Sequence, residues 1–279
     1  MSHAILLPER GVVEISGPDA ISFLHNLVTN DIQSLAAGEA RFAALLTPQG
    51  KILCDFLVFR RETTEGPLLL LDCPRSLAPE LLQRLNRYRL RANATVADKS
   101  DAYESLAYIE EQTPQQENLL TLARDPRSPL MGWRAIAQRG TVDAPGDHAS
   151  YDEHRISAGV PDGAVDFPYG DAYPHETNMD RLSGLDFKKG CYVGQEVVSR
   201  MQHRTVVRKR ITPFRFDGET PPAAGSEVIA GEIKIGVTGS HWGKEGLALI
   251  RTDRLEDALA AGQKAQAAGV PLEFSVAKS

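Results

Sequence analysis

An α+β fold is predicted, and three patterns in the sequence predict it. Strand-sized apolar runs alternate with amphipathic stretches of helical period, yet no Gly-x-Gly-x-x-Gly follows a run, so no Rossmann cofactor site is expected. Two apolar runs flank Thr47-Pro48-Gln49-Gly50, whose proline and glycine suit the second and fourth positions of a type I turn, which makes the pair a hairpin. From Arg208 onward ITPFRF, SEVIA, IKIGVTGS and GLALI are short runs punctuated by Gly and Pro, the signature of a small β-barrel or sandwich.

The elements follow in order. Gly11–Ile15 reads as a strand, and Gly17-Pro18 then opens a helix whose apolar face carries Phe23, Leu24, Leu27 and Val28 and which Asn30-Asp31 ends. Phe42–Leu46 and Ile52–Phe59 are the hairpin strands, and Leu68–Leu71 is another strand. Residues 76–91 are helical, with Leu77, Leu81, Leu85 and Tyr88 on one face and Arg84, Arg87 and Arg91 toward the polar side. The stretch 99–130 is polar and interrupted, which marks a transition. Trp133–Gln138 is a short strand; His148–Ala158 is a helix stopped by Gly159 and Pro161. These signals divide the chain into a first α+β unit at 1–98, a second at 99–207 and a barrel at 208–279.

Composition bounds the function. The chain has 279 residues, 42% apolar and 24% charged, with net charge −6, which excludes disorder, collagen-like repeats and a membrane-embedded protein. No run approaches ~18 apolar residues, so no membrane span is expected. The N-terminal MSHAILLPERG shows neither a signal peptide nor a transit peptide, so a cytoplasmic location is expected. Cys54, Cys73 and Cys191 are odd in number and far apart, which fits a reducing compartment; no CxxC or Cys/His spacing supports a metal site. HExxH and GxSxG are absent, and GSHWGKE at 239–245 lacks the spacing of a P-loop. The isolated His175 and His203 are read as structural.

One segment concentrates unusual chemistry: Lys188-Lys189-Gly190-Cys191-Tyr192-Val193-Gly194-Gln195-Glu196. Gly190 and Gly194 let the backbone turn sharply and present a side chain. Lysines beside a thiol favour the thiolate, the nucleophilic and metal-binding form, and Gln195 and Glu196 offer hydrogen bonds. A free cysteine is also commonly a small buried hydrophobe, and the residues alone leave both readings open. Across 188–210 seven basic residues (Lys188, Lys189, Arg200, Arg204, Arg208, Lys209 and Arg210) face one acid, Glu196. That stretch is either an anion site, for a polyglutamate tail, a phosphate or RNA, or a solvated strand or turn. In the predicted strand ILCDFLVF, Asp55 shares a face with Leu53, Leu57 and Phe59. A carboxylate there needs a partner, so either the face borders a polar ligand or the strand is an edge.

The 188–196 segment resembles the KGCYxGQE signature of the YgfZ family of folate-binding proteins. That family is similar to the T-protein (aminomethyltransferase) of the glycine cleavage system and includes mitochondrial relatives in iron–sulfur assembly. Phe23–Ile32, Leu46–Phe56, Arg155–Pro161, Pro174–Asn178, Gly236–Gly239 and Gly246–Arg251 resemble family landmarks in the same order, so the likeness covers nearly the whole chain. It implies a T-protein-like fold of two partly interleaved α/β units plus a C-terminal barrel, in a bacterial cytoplasmic protein. It implies tetrahydrofolate or a related folate in a central opening, with the first-unit hairpin as its binding element. Asp55 would contact the pterin, Asn30, Glu176 and Asn178 would assist, and Arg200 or Arg204 would meet the glutamate tail. Cys191 would be the working thiol, in a mixed disulfide or on a cluster iron; Lys189 would favour its thiolate, with Gly190, Tyr192, Gly194, Gln195 and Glu196 supporting the loop. The implied role is support of iron–sulfur cluster assembly or repair, and thereby tRNA modification, with iron–sulfur proteins or assembly factors as partners and no direct RNA binding. The alternative is a tetrahydrofolate-dependent aminomethyltransferase or other one-carbon transferase. Against it, Ser157 stands where the T-protein has a glutamate.

Overall fold

In a computed structural model, described for residues 3–204 and 207–274, three β layers surround a shared core. The first is a five-stranded antiparallel sheet of β2 (Arg10–Ser16), β3 (Ala40–Leu46), β4 (Ile52–Thr63), β5 (Gly66–Pro74) and β6 (Thr95–Asp98), in the order β3-β4-β5-β2-β6. One of its faces (Cys54, Phe56, Val58, Leu69, Leu71) packs under α1 (Ala20–His25) and α2 (Ala78–Arg89). The other (Phe42, Leu57, Phe59, Leu70) joins a cluster that also takes Ala107 and Ile136 from the second sheet and Ile211, Leu247 and Leu249 from the barrel. The expected hairpin is present: Gly50 N–H donates to Thr47 O at 2.8 Å. Asp55 pairs with Ala44 of β3, the pairing of β4 with β5 begins at Leu57, and Asp55 is buried, so it does not reach water at a sheet edge.

The second sheet runs β1 (Ile5–Leu6), β7 (Tyr103–Tyr108), β9 (Trp133–Gln138), β8 (Leu119–Arg124). Its first strand comes from the N-terminus, so the two units interleave. Helix α3 (His148–Ser157), capped by the Asp147 side chain accepting from Ala149 N–H at 3.1 Å, packs between β1 and the barrel. Two strands thus occupy the stretch that its polar composition marks as a transition; β8 is only half-buried, and its alternation is weak. Helix α4 (Gln195–Arg204) replaces the strand or turn read for the basic stretch. The last unit is a closed barrel of β10 (Lys209–Arg215), β13 (Glu245–Arg251), β12 (Ile233–Trp242), β11 (Glu227–Ala230), β14 (Ala265–Ala267) and β15 (Val270–Phe274), with α5 (Thr252–Ala260) against it. Among the described residues no helix is long and apolar enough to cross a membrane.

Candidate functional site

Two places carry chemistry: the Cys191 loop on the rim of the first unit, and a polar layer where the units meet.

The loop is presented by anchors on both sides of the thiol. Lys189 is buried, and its Nζ donates to the carbonyls of His25 and Val28, at 2.5 Å for the second, at the open C-terminal end of α1. A cation is favoured there because the last helical carbonyls lack partners. Burial lowers the Lys189 pKa to about 8, against the opposing pull of Asp31 and Asp186. Three residues on, Tyr192 is buried, and the Lys189 ammonium lies 5.0 Å from its ring centre. Between these anchors Gly190 and Cys191 are exposed. The approach is stitched to the first unit. Asp186 accepts from the Lys188 and Lys189 N–H groups at 2.7 and 3.1 Å, and Asp186 N–H donates to Thr29 O at 3.0 Å. Asn30 donates to Phe42 O and Ser183 O at 2.8 and 2.7 Å. On the far side Gly194 has φ +83° and lies so close to the hairpin turn that a Cβ would sit 2.5 Å from Thr47 O. Helix α4 begins directly after it, with Gln195 in its first turn and an exposed i,i+4 pair of Arg200 to Glu196 at 2.9 Å.

Several other residues singled out in the sequence have positions of their own. Glu176 accepts from Tyr173 N–H at 2.9 Å, and Glu176 O accepts from Ile211 N–H at 2.8 Å. Asn178 donates to Ile211 O at 2.8 Å. Both therefore fasten β10 of the barrel. The side chain of Arg204 lies outside the described residues. The Lys189 ammonium faces helix carbonyls, and Cys54 and Cys73 are buried while Cys191 is exposed.

At the junction Asp55 is buried and accepts the Tyr169 hydroxyl at 2.5 Å. The Tyr169 ring occupies the space a side chain at position 163 would need: a Cβ on Gly163 would fall 2.0 Å from the phenol oxygen. Burial raises the Asp55 pKa, against the hydrogen bond from Tyr169 and the charge of Arg10; Asp162 nearby raises it further. Beside it runs a buried ion network. Asp72 Oδ1 accepts from Arg10 Nε at 2.7 Å and Oδ2 from Arg134 Nε at 2.6 Å. Arg134 and Arg127 both donate to the Tyr151 hydroxyl, at 3.0 and 3.2 Å, and Arg127 grips Asp125 through two nitrogens at 2.9 and 2.6 Å. Sequence reasoning missed Asp72, Arg134, Tyr151 and Tyr169; the one available signal was an Asp in the apolar run LLLLDC.

The network backs onto a cleft of about 350 Å³ where all three units meet, lined in part by Tyr151, Asp152, Arg155, Asp162, Ser240 and His241. Of the residues assigned to folate from the sequence, none whose side chain is described lines it. The donor set suits a pterin nonetheless. Asp162 and Asp152 can accept from ring N–H groups, Ile156 and Val165 offer apolar contact, and His241 Nδ1 is a buried polar atom without a partner among the described residues. Replacing Asp55 by Asn is expected to stabilise the fold at pH 7. A carboxyl whose folded pKa is raised holds its proton longer in the folded chain, so wild-type stability falls as pH rises from the unfolded value toward the folded one. Urea unfolding at pH 7 and pH 4 checks this: the variant's advantage should be present at pH 7 and gone at pH 4.

Residues 9–121 match the GCVT N-terminal domain, and residues 208–278 match the CAF17 C-terminal beta-barrel domain. Along most of its length the chain is similar to three iron–sulfur cluster assembly factors named IBA57 or IBA57 homolog, mitochondrial. It is 33% identical to that of Mus musculus over 284 residues, covering 91% of this chain and 78% of that protein. It is 33% identical to that of Homo sapiens over 299 residues, covering 95% and 83%. Against the Mycosarcoma maydis homolog it is 35% identical over 244 residues, 80% of this chain and 60% of that longer protein. All three are named as mitochondrial, which overturns the bacterial cytoplasmic location expected from the sequence. The aminomethyltransferase T of the glycine cleavage system from Bartonella henselae shares the fold, with a TM-score of 0.75 over 99% of this chain and 86% of that one at 17% identity. The relatives carry the assembly-factor name and not YgfZ, so the narrower sequence resemblance gives way to the broader one.

Proposed function

Because the chain belongs to the IBA57 family of iron–sulfur cluster assembly factors, we propose that it is a folate-binding factor that supports assembly or repair of iron–sulfur clusters, with Cys191 as its working thiol. The observation that carries this reading is an exposed sulfur fixed between two buried anchors, Lys189 and Tyr192.

The cluster is cargo. Iron–sulfur clusters are held by several thiolates or by thiolates with imidazoles. Among the described residues no group of three or more His, Cys, Asp or Glu could hold a metal ion. Cys191 therefore supplies one ligand to one iron, and the client or assembly partner supplies the rest. The thiolate must form before it binds iron, and its proton leaves to water, since the thiol faces solvent. The Lys189 ammonium positions the backbone that carries the thiol, through α1. In this reading the clients include cluster enzymes of tRNA modification.

A bound tetrahydrofolate would supply a reduced pterin to the junction cleft. Asp162 and Asp152 would accept from its N–H groups and His241 Nδ1 would gain a partner, while Arg155, already bonded to Asp152, Asp166 and Ser240, would hold Asp152 in place. Asp55 lies within electrostatic reach of Asp162, and burial of Asp55 together with the Asp162 charge disfavours a second negative charge behind the ring. Aminomethyl transfer is not favoured, because the Ser157 hydroxyl at the position of the T-protein glutamate donates to Glu245 of the barrel at 3.2 Å.

In cells lacking the native protein, Cys191→Ser is expected to leave cluster-dependent enzymes at the level of the empty vector, while the purified variant unfolds at the wild-type midpoint. Wild-type enzyme activity in those cells would sink the thiol role. Calorimetry with tetrahydrofolate tests the cleft: wild type should bind and Asp162→Asn should bind at least about tenfold more weakly, the usual loss of a charged hydrogen-bond acceptor.

A further inference from the structure

An exposed groove lies between α1 and the C-terminal end of α2. It has a volume of about 650 Å³ and is lined by Asp19, Ser22, Phe23, Asn26 and Leu27 on one wall and by Tyr88–Ala92 on the other. Phe23 and Leu27 are buried at its base. On the rim Leu90 is 91% exposed and Tyr88 40% exposed, an unusual outlay of apolar surface at one helix end. The same turn carries Arg87 and Arg91, both exposed and, among the described residues, both without an ion-pair or hydrogen-bond partner. The neighbouring charges are engaged: Arg84 with Glu80 at 2.6 Å, Arg89 with Ala94 O at 3.1 Å, and Asp19 with Asn93 N–H at 2.8 Å. Two free guanidinium groups thus flank an apolar knob on a chain whose net charge is −6.

The groove adjoins the segment that anchors the Cys191 loop. Its α1 wall ends in Asn26 and Leu27, and the carbonyls on either side, His25 O and Val28 O, are the two that hold Lys189. A segment seated along α1 would end beside the loop that carries the thiol.

We propose that this groove docks an acidic, leucine-bearing segment of the protein partner that exchanges the cluster with Cys191. The proposal rests on the function argued above and adds where the partner sits and what recognises it. Carboxylates of the segment would pair with Arg87 and Arg91, and its apolar side chains would cover Leu90, Tyr88 and the base formed by Phe23 and Leu27. Arginine and tyrosine around a pocket are the residue types that carry interface energy. RNA fits less well. Two free cations neutralise too few phosphates for useful affinity, and an exposed leucine adds nothing to a backbone contact.

A fluorescein-labelled 16-residue amphipathic peptide with glutamates on its polar face and leucines on its apolar face is the probe, read by anisotropy against the full chain. Binding is expected, weakened at least about tenfold by Arg87→Glu/Arg91→Glu and by Leu90→Asp, and lost when lysines replace the peptide's glutamates. All three substituted positions are exposed, so the variants should keep the wild-type unfolding midpoint. In cells the double arginine variant is expected to lower cluster-dependent enzyme activity although Cys191 is intact. Equal peptide affinity in wild type and variants would overturn the proposal. So would tighter binding of a 20-nucleotide RNA than of the peptide, or a dimer that Leu90→Asp dissolves, which would assign the groove to a second copy. Cys191→Ser should leave peptide affinity unchanged, so failure of the thiol role and failure of the docking site are read separately.

Discussion

Replacing Asp72 by Asn is expected to lower the unfolding free energy by about 3–5 kcal/mol, the range for breaking a buried ion pair from one side. Asp72 joins Arg10 of its own sheet to Arg134 of the other, and both Asp72 and Arg134 are sealed from solvent. Asn keeps the shape and removes the charge, so two guanidinium groups remain buried against a neutral amide. The loss should appear in urea unfolding and as faster hydrogen exchange in β9, which carries Arg134. A triple change of Arg10→Met, Asp72→Leu and Arg134→Met should recover most of the stability, because a buried ion cluster is worth little more than apolar groups of similar volume. A triple variant as weak as Asp72→Asn would show that the network holds the two sheets in a way packing cannot replace.

The pH dependence of this layer has two opposite parts. Burial alone would raise the Asp72 pKa, but the charges of Arg10 and Arg134 win and hold it at about 2. A depressed carboxyl contributes stability that is complete above its unfolded pKa, near 4, and is lost as pH falls toward 2; one pKa unit is about 1.4 kcal/mol. The advantage of wild type over Asp72→Asn should therefore be flat from pH 7 to 5 and shrink below 4. Asp55, in the same layer, has the opposite sign because nothing pairs with its charge as fully. The junction thus holds one carboxyl pKa down at about 2 and pushes another up from its usual value, which is the separation of roles a ligand site with N–H donors can use.

The hairpin, the barrel and the helices at 76–91 and 148–158 were legible because each has a local cause: Thr47-Pro48-Gln49-Gly50, a run of Gly and Pro, or an apolar stripe with a stop. The two strands inside 99–130 were not: β7 is buried but opens on the polar Tyr103-Glu104-Ser105, and β8 buries little, its alternation blurred by a register shift against β9. Helix α4 was hidden for a related reason: its basic side chains suit a solvated strand as well as a helix face. The exposure of Cys191 follows from glycine and spacing, yet the partner of Lys189 does not. A lysine beside a cysteine suggests an ammonium turned to the thiol. Only the fold reveals that the end of α1, some 160 positions earlier, offers it two carbonyls. The ion network was illegible for the same reason, since Arg10, Asp72 and Arg134 come from strands on two sheets.

Lys189→Met is expected to cost about 2–3 kcal/mol and to abolish the thiol-dependent activity while leaving the thiol in place. Met fills nearly the same channel but donates nothing, so the carbonyls of His25 and Val28 lose a buried partner, at about 1–3 kcal/mol for a charged hydrogen bond. The α1 terminus also loses a favourable charge. The consequence reaches Cys191 through geometry: without the Lys189 side chain the loop keeps Tyr192, Gly194 and the backbone bonds to Asp186 but loses its tie to the end of α1, and the sulfur no longer has one position. Two measurements separate this from a direct effect of the ammonium on the thiol. If Lys189 acts through position, the rate of Cys191 alkylation as a function of pH should keep its midpoint in Lys189→Met, while hydrogen exchange rises across residues 26–30 and 186–192. A shifted midpoint with unchanged exchange would instead make the ammonium an electrostatic activator of the sulfur. Gly194→Ala provides the matching perturbation from the other anchor. Its φ of +83° and the 2.5 Å approach to Thr47 O forbid a methyl, so the loop should detach on that side too, with activity lost and Lys189 untouched.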